Sequence, residues 1–363
     1  MNGLVIMTGE IEEKISYGGQ LINKRNLKIL DGSCDRMDVI LLKKMPRKFK
    51  ALYDIIMYKN FYGITNKKKK YIFDKIKKNH YDFCFISASL GGILAYEIKK
   101  YFPRQKVIVF FHNVEYIFFL QLAKQTGFYK RILAFSARMN EKMAIKYADK
   151  IISLNKRDAI EIKNLYNRNV DFILPTTFDD KYKNNINLNY NKNNNTKKVL
   201  LFVGSNFYAN FHGISWFIEN VLEYLDNVIL YIVGKGTEDW KKIFENVNNL
   251  NIIGSVDDLG KYYALADIVV SPIFLGSGMK TKTAEALMYG KYIFGTKEAF
   301  EGYDVDFEKV GGLCNDRDEF VKKINKHLKI VNDNYNKYSR NIFLEKYDTK
   351  KWIMIMKKFL NEK

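Results

Sequence analysis

Cysteine is scarce in this chain, and its three cysteines, Cys34, Cys84 and Cys314, show no paired spacing. An odd number of unpaired thiols fits a reducing cytosol and argues against a disulfide framework or a zinc site. No cluster of histidine and cysteine has the spacing of metal ligands. The Asp304-Val-Asp306 pair resembles a metal-binding Asp-x-Asp, but it lies beyond the other motifs and chance explains it better. The sequence therefore predicts no bound metal and no cofactor.

Long apolar runs are also missing, and none approaches the ~18 residues that a membrane-spanning helix needs. The first apolar run is followed by Glu10, Glu12 and Glu13, which is the wrong polarity for a signal peptide. We therefore expect a cytoplasmic protein that is soluble or at most peripheral on the inner face of the cytoplasmic membrane.

Positive charge is in excess, with a formal net charge of +20. Such a charge invites a nucleic-acid or membrane interpretation, but lysine is abundant throughout the chain, which favours an anionic ligand or surface over nucleic acid. The densest run, Lys67–Lys70, precedes apolar residues at helical spacing. It indicates either a helix with solvated lysines or a segment that docks on an anionic membrane.

The 363 residues, 47% of them hydrophobic, are enough for two domains with proper cores. Apolar strand patterns alternate with helical patterns, which is typical of parallel sheets covered by helices on both faces. The alternation stops in an Asn-rich stretch and then restarts. We predict an N-terminal domain over 1–175, a linker over 176–197, a C-terminal domain over 198–345, and a helix over 346–363 that crosses back to the N-terminal domain.

One stretch, 271–290, combines a strand end, a Gly276-Ser-Gly278 turn and a helix predicted to begin at Met279. Cations near a helix N-terminus oppose the helix dipole, so Lys280 and Lys282 fit better if an anion binds there. Glu285 follows one to two turns later, within reach of a sugar hydroxyl. The pattern predicts a nucleotide site, although a Gly-Ser-Gly turn before a helix is common in α/β proteins.

Other predicted strands in the C-terminal half also end in small-residue turns, at Gly204-Ser-Asn206, Gly234-Lys-Gly236 and Gly254-Ser-Val256. Ligands of parallel sheets bind beyond the carboxyl ends of the strands, so the convergence of these turns favours a nucleotide crevice. In the N-terminal half, Gly18-Gly19 lacks the spacing of a dinucleotide fingerprint. His112 directly follows an apolar strand; an ordinary polar strand end is the alternative to a functional histidine.

These motifs resemble, in order and spacing, the group 1 glycosyltransferases, a large retaining family with two facing Rossmann-like domains and a deep interdomain cleft, the GT-B fold. The resemblance is specific over about 196–300. It rests on Phe202-Val-Gly204, Ile232-Val-Gly234, Ile253-Gly-Ser-Val256 and Gly276–Ala286. In the N-terminal half, Gly18-Gly19 and His112–Glu115 look like the family's glycine loop and histidine segment.

The resemblance implies roles for individual residues. Glu285 matches the second glutamate of a pair separated by seven residues and would bind the ribose, while His112 would lie near the reacting anomeric carbon. The remaining site residues would supply backbone amides near the diphosphate and donor sugar, or turns that flank the base. They are Gly18, Gly19, Gly204, Ser205, Asn206, Gly234, Val256, Gly278, Met279, Lys280 and Thr281.

Two departures from the family pattern concern the donor site. Ser277 stands where the first glutamate of the pair is expected, so that contact with the donor sugar is absent or supplied otherwise. The Arg and Lys that many members place after the Phe-Val-Gly strand are missing, which makes Lys280 the best candidate for neutralising the diphosphate. The family's chemistry, with a nucleotide-diphosphate sugar as donor, then requires no metal.

Three hypotheses follow. The first is a retaining, hexosyltransferase-like enzyme that transfers sugar to a glycan or lipid-linked glycan in cell-surface polysaccharide biosynthesis, such as that of capsule or lipopolysaccharide. The second is a nucleotide-sugar 2-epimerase on the same fold. The third is a non-catalytic protein that binds its ligand and docks on a membrane.

Overall fold

The computed structural model describes residues 1–8, 18–42, 64–126, 129–182, 197–276, 279–331 and 333–362. The chain forms two compact units. Unit 1 comprises Met1–Thr177 with Thr349–Lys363, and unit 2 comprises Phe178–Asp348. Most of the predicted Asn-rich linker, residues 183–196, lies outside the described residues.

Unit 1 is built on a six-stranded parallel sheet with the order β2-β1-β3-β4-β5-β6. Its central strands are buried on both faces, because helices follow the strands and cover the sheet on either side. The strands are β1 (Asn2–Thr8), β2 (Arg36–Leu42), β3 (Phe83–Ile86), β4 (Val107–Phe111), β5 (Lys150–Ser153) and β6 (Phe172–Ile173). The helices are α1 (Gly18–Ser33), α2 (Asn66–Lys78), α3 (Gly92–Tyr101), α4 (Glu115–Thr126), α5 (Tyr129–Tyr147), α6 (Lys156–Tyr166) and the C-terminal α13 (Thr349–Asn361).

The C-terminal helix α13 packs within unit 1, against α1. Its apolar side, Met356, Phe359 and Leu360, is buried in a cluster that also contains Ile29 of α1. The ring of Phe359 stacks on that of Phe172, with centroids 4.5 Å apart. The last helix of the chain therefore completes the hydrophobic core of the first unit.

Unit 2 has a second six-stranded parallel sheet, in the order β12-β11-β10-β7-β8-β9. Counted from β7, this is the 3-2-1-4-5-6 order of a dinucleotide-binding fold, with its topological switch point between β7 and β10. The strands are β7 (Lys198–Val203), β8 (Val228–Val233), β9 (Leu250–Gly254), β10 (Ile268–Ser271), β11 (Tyr292–Gly295) and β12 (Gly311–Leu313). The helices are α7 (Tyr208–Asn220), α8 (Gly260–Leu265), α9 (Thr281–Met288), α10 (Phe307–Val310), α11 (Arg317–Ile330) and α12 (Lys337–Ile342).

The alternation of strands and helices predicted from the sequence is found in both units. Helix α7 contains Gly213, where a Cβ would come 1.8 Å from the carbonyl oxygen of Pro272. The helix expected from Met279 begins at Thr281, with Lys280 as its N-cap residue in extended backbone. Helix α12 is followed directly by a π-helical turn, Phe343–Tyr347.

The basic stretch Lys67–Lys70 lies on α2, whose Ile72 and Ile76 are buried. Lys69 is buried too, and its Nζ pairs with Glu97 at 2.7 Å, whereas Lys67 and Lys70 are exposed. Nowhere in the described ranges does a helix have the length and hydropathy to cross a membrane.

Candidate functional site

A cavity of about 310 Å³ opens at the carboxyl ends of the strands of unit 2. It lies beside the switch point between β7 and β10, where open parallel sheets bind their ligands. The turns after β7, β8 and β9 form one side, and α7, α8 and α9 with their flanking residues form the rest. The lining residues are Val203, Gly204, Ser205, Asn210, Gly234, Lys235, Ser255, Val256, Leu259, Thr281, Lys282 and Glu285.

Gly234 allows the turn after β8 to approach the turn after β7 closely. Gly234 has φ +157°, and a Cβ there would lie 2.1 Å from the carbonyl oxygen of Gly204. The turns are joined by a hydrogen bond from the Asn206 amide to the Lys235 carbonyl, 2.8 Å long. A side chain at position 234 would force the turns apart, so the small residues read from the sequence are needed for packing at this edge.

Two lysines line the cavity, and Lys282, in the first turn of α9, is the buried one, whereas Lys235 is exposed. The Nζ of Lys282 donates to Asn210 Oδ1 at 2.6 Å and lies 4.4 Å from the ring centroid of Phe202. Lys282 is only 8% exposed, and burial is the main cause that lowers its pKa to about 7. A buried ammonium with a lowered pKa gains from a bound anion, because the anion restores the charge that burial disfavours.

Glu285 lies one turn after Lys282 on the same helix, since residues three apart share a face. Its Oε2 accepts a hydrogen bond from the Tyr263 hydroxyl at 3.1 Å, and the Tyr263 ring stacks on Tyr289 with centroids 4.7 Å apart. Burial raises the pKa of Glu285 above its ordinary range. Glu285 and Lys282 thus place an acceptor for hydroxyl groups beside a donor for an oxyanion.

Six predicted site residues line this cavity, and three other described ones in unit 2 do not. Gly204, Ser205, Gly234, Val256, Thr281 and Glu285 are in the lining. Lys280 Nζ instead pairs with Glu298 at 2.6 Å. Met279 packs against Gly302, and the side chain of Asn206 bonds with Asp239 and Trp240. Ser277 and Gly278 lie outside the described residues.

The sequence pattern predicted Lys282 in the first helical turn, but it favoured Lys280 as the diphosphate ligand. Asn210 and Leu259 were not predicted at all, and Lys235 and Ser255 were predicted only as parts of the strand-end turns. The i, i+3 spacing of Lys282 and Glu285 was the available signal for Lys282. No signal of comparable strength marked Asn210, which reaches the cavity from α7 because that helix begins before Gly213.

In unit 1, His112 follows β4 and is half-buried. Its Nε2 donates to the Ser87 carbonyl at 2.9 Å, and its ring meets that of Phe110 edge-on, with centroids 4.9 Å apart. Burial lowers the pKa of His112 to about 4. The imidazole is therefore neutral near pH 7, which suits a hydrogen-bonding role rather than that of a proton donor.

The turn after His112 is held by Glu141, a fully buried residue of α5 that the sequence did not single out. Its Oε1 accepts from the Glu115 amide at 2.7 Å and its Oε2 from the Tyr166 hydroxyl at 2.6 Å. The Tyr116 amide also donates to Oε2, at 3.4 Å. The carboxylate thus satisfies the amides that begin α4 and fixes the segment that carries His112.

Gly18 and Gly19 are the first two residues of α1. The Asp-x-Asp pair has local partners: Asp306 Oδ1 caps α10 through the Glu308 amide at 3.1 Å, and Asp304 Oδ2 pairs with Lys346 at 3.0 Å. Within the ranges that the structure covers, no group of three or more His, Cys, Asp or Glu residues could hold a metal.

A family model, Glycosyl transferases group 1, matches residues 197–329, the segment that contains this cavity. Residues 197–329 are a group 1 glycosyltransferase domain. The resemblance read from the sequence is thereby confirmed, and the enzyme is a glycosyltransferase. No curated protein sequence matches the chain.

Solved glycosyltransferases resemble the whole chain in fold. Sucrose-phosphate synthase from Thermosynechococcus elongatus has a TM-score of 0.65 at 15% identity, covering 99% of this chain and 98% of that one. HepE from Anabaena, in complex with UDP, has a TM-score of 0.64 at 13% identity, covering 99% of both chains. A glycosyltransferase from Rickettsia africae ESF-5 has a TM-score of 0.64 at 16% identity, again covering 99% of both chains. The two Rossmann-like domains of the GT-B fold are confirmed.

Proposed function

We propose that this glycosyltransferase is a retaining enzyme that moves a sugar from a nucleoside-diphosphate sugar to a glycan or lipid-linked glycan in cell-surface polysaccharide biosynthesis. The observation that carries the donor class is the cavity of unit 2, in which Lys282 and Glu285 face the glycine turns of β7 and β8. Lys282 would bind the diphosphate and Glu285 the ribose hydroxyls.

In this proposal the protein stabilises the leaving group without a metal. Breaking the bond between the anomeric carbon and the diphosphate leaves negative charge on the phosphate oxygens. The ammonium of Lys282 would compensate that charge from inside the cavity. HepE was solved with UDP and with UDP-glucose, so UDP is the first nucleotide to test.

The membrane interpretation rests on the exposed Lys67 and Lys70 of α2, next to Tyr71, which is 52% exposed. We propose that this face contacts an anionic membrane that presents a lipid-linked acceptor. Sedimentation with vesicles containing an anionic lipid, compared with neutral vesicles, tests this contact separately from catalysis.

The activity test incubates the protein with UDP-sugars and glycan acceptors, with and without EDTA, and measures released UDP. We expect release that requires acceptor and persists in EDTA, and a product whose anomeric configuration by NMR is that of the donor. Glu285→Gln should raise the donor KM about 10- to 100-fold, since a hydrogen bond to a charged group is worth about 1.5–3 kcal/mol. Glu245→Gln, which changes an exposed carboxylate of unit 2 outside the cavity, is the matched control.

Other outcomes would separate the remaining hypotheses. Interconversion of nucleotide sugars in the absence of acceptor would indicate a 2-epimerase. Binding of UDP with no turnover of any donor would indicate a non-catalytic binding protein. If no nucleotide binds, the proposed donor site is wrong.

A further inference from the structure

Arg25 and Asn26, two consecutive residues of α1, each have buried polar atoms without a hydrogen-bond partner. Arg25 is 5% exposed and Asn26 is fully buried. In the described part of the chain, eight buried side-chain nitrogen or oxygen atoms have no hydrogen-bond partner, and four of them are Nε and Nη2 of Arg25 and Nδ2 and Oδ1 of Asn26. Buried polar groups are nearly always paired, so such a pair of neighbours indicates a place where a polar group binds.

Arg25 is the stronger indication of a binding site, because its side chain is charged. The contacts of its guanidinium are a 3.5 Å hydrogen bond from Nη1 to the Leu174 carbonyl and the ring of Phe110, whose centroid lies 5.9 Å from Cζ. Burial lowers the pKa of Arg25 to about 9, and no carboxylate contributes to that shift. The guanidinium therefore stays charged at neutral pH without a counter-ion, an arrangement that costs free energy unless an anion is supplied.

The surroundings of Arg25 lie at the carboxyl edge of the sheet of unit 1. Phe110 is the second-last residue of β4, and Leu174 directly follows β6. The positive charge of Arg25 also helps to lower the pKa of His112. Ser87, which follows β3 and holds His112, also donates to Asn23 Oδ1 of α1 at 3.0 Å. Substrates of parallel sheets bind at this edge, so the uncompensated charge lies on the functional side of unit 1.

We propose that Arg25 is the centre of an oxyanion-binding subsite at this edge, next to His112, which takes a phosphoryl or carboxyl group of the substrate that unit 1 binds. A guanidinium matches either oxyanion with two parallel hydrogen bonds, and Nε and Nη2 of Arg25, which are buried and unpartnered, would make them when the anion enters. The proposal rests on the proposed function only in assigning the anion to a substrate; the subsite itself is a property of unit 1.

The test measures thermal unfolding of the full chain at pH 7 in sodium chloride, sodium phosphate or sodium glucuronate of equal ionic strength. All proteins carry Lys282→Met, so that the cavity of unit 2 does not contribute an anion response. We expect phosphate or glucuronate at tens of millimolar to raise the midpoint of this parent by about 2–5 °C, since a ligand that binds the folded state stabilises it. Whichever anion acts identifies the group as phosphoryl or carboxyl.

Adding Arg25→Met should abolish the rise and leave the midpoint in chloride equal to or above that of the parent, because an uncompensated buried charge has been replaced by an apolar chain. Adding Arg36→Met, which removes an exposed arginine of the same unit, should leave the rise intact. If Arg25→Met shows no cooperative unfolding, Arg25→Lys is measured instead and should lose at least half of the rise.

Two results would overturn the subsite: no anion response in the parent, or a response that the Arg25 variants share. Neither result touches the donor cavity, which is tested by UDP binding to the protein with Lys282 intact. Conversely, failure of UDP to bind would refute the donor site and leave this measurement, made without nucleotide, valid.

Discussion

Lys280 and Lys282 are two residues apart, yet the structure gives them different surroundings. Lys282 reaches into the cavity from the first turn of α9, and its amino group meets the neutral Asn210 amide. Lys280 precedes the helix, and its amino group is already neutralised by Glu298. A buried cation that makes no direct ion pair stabilises a new anion more than one that is already paired. At the scale of single residues, the candidate diphosphate ligand is therefore Lys282.

We predict that Lys282→Met weakens UDP binding about 10- to 100-fold, the value of a hydrogen bond to a charged group. Lys280→Met, the matched control, should change the dissociation constant for UDP less than about threefold, because the charge of Lys280 is already paired with Glu298. Isothermal titration calorimetry measures both. Equal losses in the two variants would contradict the assignment.

The same residue should make binding pH-dependent. Free Lys282 has a pKa of about 7, and a bound diphosphate would keep its ammonium charged, so binding above pH 7 must take up a proton. The dissociation constant of the wild type should therefore rise above pH 7, by up to about tenfold per pH unit. In Lys282→Met this rise should be absent.

The sequence was enough to predict an anion site at the start of α9, but not to choose between Lys280 and Lys282. That choice depends on where α9 begins, and the Tyr303 hydroxyl helps to set the start by donating to the Lys280 carbonyl at 2.5 Å. Tyr303 is 23 residues away in the sequence, and such a tertiary contact leaves no local pattern. The spacing of Lys282 and Glu285, by contrast, was visible as an i, i+3 pair.

At the scale of elements, α4 begins on a buried carboxylate of another helix rather than on a capping residue of its own. Glu141 of α5 accepts from the first amides of α4, and Glu115 of that turn lies close to it. Burial first, and then the charge of Glu141, raise the pKa of Glu115 to about 7; burial raises that of Glu141 to about 7 as well. The two carboxyl groups form a coupled pair within the segment that follows His112.

We predict that Glu141→Gln lowers the free energy of unfolding by about 1–3 kcal/mol, because the amide cannot accept from all the donors that face it. The loss should be larger at pH 5 than at pH 8. A carboxyl group whose pKa is raised on folding stabilises the folded state below its unfolded pKa, and this stability is lost as pH rises through the folded value of about 7.

Urea denaturation at pH 5, 6, 7 and 8 measures this dependence. Asp74→Asn, which changes an exposed carboxylate on α2, should shift stability by less than about 0.5 kcal/mol at every pH. A cost of Glu141→Gln that grows with pH would show that the buried carboxylate is stabilising in its ionised form, contrary to the prediction.

The parallel sheets were predictable because apolar strands and helical patterns alternate regularly, and that periodicity is a local property of the sequence. The network around Glu141 was not, because it joins backbone amides of α4 and a side chain of α6 to a carboxylate of α5, about 25 residues away from each. A buried glutamate within a helical pattern has the same sequence appearance as a solvated one. The same limit applies to Arg25, whose burial follows from packing against strands far along the chain.

At the scale of the whole molecule, the chain leaves unit 1 after Thr177, forms unit 2, and returns at Thr349. The amphipathic pattern of α13 indicated that its apolar side must be buried somewhere. The structure buries it in unit 1, where Met356 is fully buried while Met354, one half-turn away, is 68% exposed. Stability of the first unit therefore depends on the last residues of the chain.

We predict that Met356→Ala destabilises unit 1 by about 2–5 kcal/mol, the cost of removing a large side chain from a packed core. Met354→Ala makes the same chemical change on the exposed side of the helix and should cost less than about 0.5 kcal/mol. Urea denaturation should show this loss of stability in the unfolding transition of unit 1 alone.

UDP should still raise the unfolding transition of unit 2 in Met356→Ala, because every residue that lines the cavity lies between Phe178 and Asp348. If Met356→Ala instead lowers both transitions equally, the two units unfold together, and the prediction that unit 1 is destabilised alone is wrong.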